Sequence, residues 1–190
     1  MSLVISMMAL TLLTALGGAL VLGTVTETAI AASYREGTET FYAAEAAVEL
    51  VIEELAAASD WDAIAAGDAP SAFVDGPPAG IRRVGAVTLD LAVATEDVAT
   101  AAGDKDVDAY LLYAHGRLVD MIPGGTARSP HYVAVWIAGL ATADAEEVSI
   151  MRIVGRAYGP TGSRRSVVVS VTRPPGSEDS LRVMSWHELR

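Results

Sequence analysis

Residues 1–26 read MSLVISMMALTLLTALGGALVLGTVT, and none of them carries a charged side chain; the first is Glu27. As a helix rising about 1.5 Å per residue, this run would be roughly 39 Å long. A bilayer's hydrocarbon core is crossed by roughly 20 apolar residues, so the run is long enough to span with some tilt. A buried core helix of a soluble domain would normally carry a polar stripe. The only polar side chains here are Ser2, Ser6, Thr11, Thr14, Thr24 and Thr26. The stretch is read as a membrane-inserted helix. Gly17, Gly18 and Gly23 lie within it, either as small residues for close helix packing or as points of local melting.

The helical pattern continues past Thr26. From Glu27 to Ser59 there is no proline, and the composition changes from wholly apolar to amphipathic. Tyr34, Phe41, Val48 and Leu55 recur every seven residues, and Gly37, Ala44, Val51 and Ala58 follow three positions later. Together they form one apolar seam. The spacing predicts a single long helix, its first half (1–26) in lipid and its second (27–59) carrying a head formed by residues 60–190.

The net charge of −11 and the single lysine, Lys105, argue against nucleic acid as a partner, because phosphate binding needs clustered cations. The chain has no cysteine, which excludes disulfides, thiol catalysis and Cys-based zinc sites. The positive mean hydropathy of +0.37 owes much to the opening run and to abundant alanine.

Turn-forming residues follow the helix in Gly67-Asp68-Ala69-Pro70 and Asp75-Gly76-Pro77-Pro78. Val84–Thr95 alternates as a half-buried strand, and Glu96–Val107 reads as an acidic loop or short helical turn. Ala109–Val119 leans toward strand. His131–Ala138 places Val133, Val135 and Ile137 on one face and Tyr132, Ala134 and Trp136 on the other. Val148–Tyr158, Arg164–Thr172 and Leu181–His187 complete the set, and the short link Gly159–Ser163 favours an antiparallel hairpin. The expected fold is α+β: a long N-terminal helix laid by its seam against a four- or five-stranded antiparallel sheet.

Enzymatic signatures are missing. His115, His131 and His187 share no motif, and the chain has neither a G-x-S-x-G elbow nor a phosphate-binding glycine loop. Asp104, Asp106 and Asp108 alternate as a calcium loop begins, but that loop then needs glycine at its sixth position and glutamate at its twelfth. Ala109 and His115 stand there. A solvated acidic loop is the preferred reading, with an irregular calcium site as the alternative; no other cofactor is expected.

Thr38–Glu49 (TETFYAAEAAVE), set downstream of a charge-free helix, resembles the N-terminal region of PilX-like minor pilins of the type IV pilus and type II secretion superfamily. Leu3-Val4-Ile5 is similar to the start of their mature chains. Ser59–Asp62 and Arg182–Glu188 resemble such proteins more loosely. The resemblance implies a non-enzymatic subunit that sits in the inner membrane, head outside the cytoplasm, before entering an extracellular filament or its tip. Its implied partners are other pilins or copies of itself, the assembly machinery and a prepilin peptidase. The peptidase would remove a basic leader ending in glycine immediately before Met1.

In such pilins a glutamate at the fifth mature position pairs with a neighbour's amino terminus. Ile5 stands here instead, which points to a minor or tip subunit. Rival readings are a major subunit without that glutamate and a type II secretion pseudopilin. A rival of another class is a single-pass anchored sensor or ligand-binding domain.

Overall fold

The computed structural model describes residues 2–102, 109–122, 129–141, 148–173 and 181–189. Helix α1 runs unbroken over Ser2–Ala57. The chain groups into two compact units, Met1–Thr38 and Glu39–Arg190, with the division inside α1. The following description concerns the second unit.

After α1 come a short helix α2 (Trp61–Ala66), a hairpin of β1 (Ile81–Val84) and β2 (Val87–Asp90), and helix α3 (Leu91–Ala102). Then follow β3 (Leu111–Arg117), a single turn α4 (Leu118–Met121), β4 (Tyr132–Ala141), β5 (Val148–Tyr158), β6 (Arg164–Thr172) and β7 (Arg182–Leu189). Strands β3 to β7 form one antiparallel sheet in sequence order. The fold is α+β with five strands in the main sheet.

Alternation along the strands creates two cores. Val133, Val135, Ile137, Ile153, Val167, Val169 and Val171 face the C-terminal part of α1, where Ala44, Ala47, Val48, Val51 and Leu55 are buried against them. Contact is close because β5 offers Gly155. A Cβ there would fall on Val48 Cγ2 and lie 3.1 Å from the Ala44 carbonyl oxygen. The opposite face, with Tyr132, Ala134, Trp136, Val154, Tyr158 and Val168, is covered by Leu89 of β2 and by Leu91, Ala94 and Val98 of α3. The sequence reading anticipated only the first of these layers.

The expected strand over 84–95 is corrected. Only Val87–Asp90 is extended there; α3 begins at Leu91 and runs through the segment expected as a loop. Asp90 is the cause, since its Oδ1 accepts from the amides of Ala92 (2.9 Å) and Val93 (3.4 Å) and satisfies two orphan donors of the first turn. Trp136 Nε1 then donates to Thr95 Oγ1 at 2.9 Å, fastening α3 to the sheet. Residues 61–66, also expected as loop, form α2, capped by the Asp60 carboxylate and ended by Gly67 at φ 85°.

The C-terminus of α1 has no basic residue in its last turn. Arg173 supplies the charge from the sheet, donating to the carbonyls of Leu55, Ala58 and Ser59 while stacking over Trp61 at 4.7 Å. Trp61 Nε1 donates to the Leu55 carbonyl at 3.0 Å. A cation at the negative end of the helix dipole complements it.

Candidate assembly surface

Residues 2–33 are exposed without exception. This part of α1 contains an 18-residue window of mean hydropathy 2.1, long and apolar enough to cross a membrane. Six of its hydroxyls are satisfied within the helix. Ser6, Thr14, Thr24, Thr26 and Thr28 each donate to the carbonyl four residues back, and Thr11 to that of Met8. Polar side chains satisfied this way are compatible with lipid, where an unpaired group costs several kcal/mol. Gly17, Gly18 and Gly23 sit in regular helix with nothing within 4 Å of an added Cβ, so they offer open small-residue faces to a neighbouring helix. Ile5 is 66% exposed.

The seam residues divide. Tyr34 is 79% exposed, Phe41 is half-buried, and Val48 and Leu55 are completely buried. Met1 and Asp104, Asp106 and Asp108 lie outside the described residues; among the described residues no group of His, Cys, Asp or Glu is placed to hold a metal.

Polar ties hold α1 to the head. Thr40 Oγ1 lies 2.7 Å from Ser163 Oγ and 3.2 Å from His131 Nε2, and His131 Nδ1 lies 3.0 Å from Ser129 Oγ. A hydroxyl beside an imidazole is a nucleophile's setting. Thr40 and His131 are both buried, however, so no substrate reaches them. Farther along α1, Glu54 accepts from Ser71 Oγ (2.7 Å) and from the Ala72 amide (2.8 Å).

That grip guides residues 73–75 along the outer edge of β3. The His115 amide donates to the Phe73 carbonyl (2.9 Å), and the Asp75 amide to the His115 carbonyl (3.1 Å). Asp75 Oδ1 then gathers His115 Nδ1 (2.8 Å), Tyr132 Oη (3.1 Å) and Arg82 Nε (3.1 Å). Burial works against this carboxylate, but the hydrogen bonds from Arg82, His115 and Tyr132, with the Arg82 charge, hold its pKa below the ordinary value. Burial, joined by the Asp75 charge, pushes the Tyr132 phenol well up.

Sequence inspection missed this cluster, whose members lie up to 57 residues apart. It works as a clasp on the sheet edge, since its phenol stays protonated and its imidazole is enclosed. His187 stands apart on β7, exposed. A cleft of about 470 Å³ lies between α3, β2 and the β5–β6 turn, with Asp97 and Arg164 among its lining. These two pair with each other at 3.4 Å.

Residues 1–49 match the family described as PilX N-terminal. The match supports a PilX-like pilin and takes in the whole exposed apolar segment and the start of the part packed on the sheet. No curated protein and no solved structure matches the chain.

Proposed function

We propose that this chain, with its PilX-type N-terminal region, is a structural subunit of a type IV pilus, a minor one located at or near the tip. The reading rests on one observation: a single helix is fully exposed and apolar over residues 2–26, then becomes the core of an α+β head. A simple membrane anchor needs no such continuity, whereas a subunit that leaves the bilayer for a filament does. The apolar halves bundle into a filament core and the heads face outward. Before assembly the helix lies in the cytoplasmic membrane with the head outside the cytoplasm. No catalysis and no cofactor enter this function.

The test is to shear filaments from cells producing the chain and to quantify the chain in the recovered fraction by mass spectrometry. The expected result is the chain in the filament fraction at low abundance. Recovery only from membranes, with filament number unchanged by its deletion, would favour the anchored sensor.

A further inference from the structure

The face of the main sheet under α3 holds a charge without a counterion. Arg156 is 4% exposed, yet among the described residues no carboxylate pairs with it. Its Nε donates to Ser166 Oγ at 2.9 Å and its guanidinium lies over Trp136 at 5.8 Å, but Nη1 is buried with no hydrogen-bond partner. Two residues along β5, on the same face, Tyr158 is 8% exposed and its Oη is likewise buried without a partner. Burial raises the Tyr158 pKa against the nearby charges of Arg156 and Arg164, so the phenol keeps its proton and can donate. Buried charges are ordinarily paired, and a lone one is costly.

The cleft between α3, β2 and the β5–β6 turn opens onto these groups. Tyr158 lines it, together with Arg164, Asp97 and Asp90. The register of β5 with β6 sets Arg164 opposite Tyr158 and Ser166 opposite Arg156, so all four side chains share this face. Both acids of the lining are already engaged. Asp90 Oδ1 holds the first-turn amides of α3, and Asp97 meets Arg164 at 3.4 Å. Arg156 is thus left as the uncompensated cation. Arg164 and Asp97 are 56% and 52% exposed, and ion pairs of that kind hold weakly. A competing carboxylate can therefore take Arg164 over. The cleft's volume of about 470 Å³ falls within the roughly 300–1,000 Å³ of small-molecule sites.

We propose that this cleft binds a small organic carboxylate. Arg164 and the Tyr158 phenol donate to its oxygens, in hydrogen bonds strengthened by charge. Arg156, beside the phenol but not itself in the lining, supplies the compensating charge. The body of the ligand lies along Val87, Val93 and Ala94. The site belongs to the sheet face opposite α1 and does not depend on the filament reading.

Two measurements on the full chain in detergent test this. The first needs no ligand. Tyr158→Phe removes only an unpartnered buried hydroxyl, so the thermal midpoint should stay or rise. A lowered midpoint would show the hydroxyl to be satisfied within the protein, and overturns the proposal.

The second is calorimetric titration with D-glucuronate and with benzoate, each beside an uncharged counterpart, D-glucose and benzamide. At least one acid should bind saturably, and its counterpart should not. Arg164→Gln and Tyr158→Phe should each weaken that binding about tenfold, the scale of one hydrogen bond to a charged group, and Arg156→Met should weaken it as well. Binding of glucuronate alone identifies a sugar acid as the ligand's source, and of benzoate alone an aromatic acid. Binding of neither acid, equal binding of a neutral counterpart, or unchanged affinity in Arg164→Gln and Tyr158→Phe overturns the proposal.

Discussion

Gly155 decides how closely α1 approaches the sheet. It needs no unusual backbone angle; what it provides is the absence of a side chain under Val48 and the Ala44 carbonyl. Gly155→Ala should therefore cost about 1–3 kcal/mol through overpacking, read as a lower thermal midpoint of the full chain in detergent. Asp75 makes a second prediction, through pH. Its folded pKa is depressed, so its contribution to stability is fully present above the unfolded value of about 3.9 and is lost as pH falls through the folded pKa. Asp75→Asn should cost about 1–3 kcal/mol at neutral pH. It should also flatten the acid limb of the stability profile, and an unaltered limb would place that titration elsewhere.

Among the elements, α1 shows how far a heptad can be trusted. Leu55 and Val48 are completely buried, whereas Tyr34 belongs to the exposed N-terminal unit. Leu55→Ala should cost about 2–5 kcal/mol, Phe41→Ala less than a full core aromatic, and Tyr34→Ala almost nothing in detergent. Equal losses at Tyr34 and Leu55 would refute this division of the helix.

The strands β5 and β6 were legible to the residue, because valine and isoleucine alternate on a sheet buried on both faces. Helix α3 was not. Leu89, Leu91 and Val93 keep a period of two by accident, while Leu91, Ala94 and Val98 carry the helical period that the structure uses. The clasp at Asp75 was equally hidden, since single Asp, His, Tyr and Arg residues scattered along a chain carry no local signal until the sheet gathers them.

At the scale of the whole molecule, an exposed apolar helix has to be covered, and in the proposed function the cover is first lipid and then other helices. Ile5 bears on which others. In the pilins this chain resembles, a glutamate near the start of the mature helix meets a neighbour's amino terminus; here residues 1–26 hold no acid, and Ile5 is aliphatic and exposed. A carboxylate buried there without a partner would cost several kcal/mol, and isoleucine avoids that cost where no ordinary subunit lies above. Ile5→Glu should then reduce filament number or tip incorporation while leaving the head's thermal midpoint unchanged, because residue 5 lies in the unit that does not contain the sheet. A major subunit packed by apolar contact alone predicts filaments composed mainly of this chain. Quantitative mass spectrometry of sheared filaments separates the alternatives. Dominance of this chain would reject the tip location and keep the structural assignment, whereas a few copies per filament, lost on Ile5→Glu, would tie the aliphatic fifth residue to the tip.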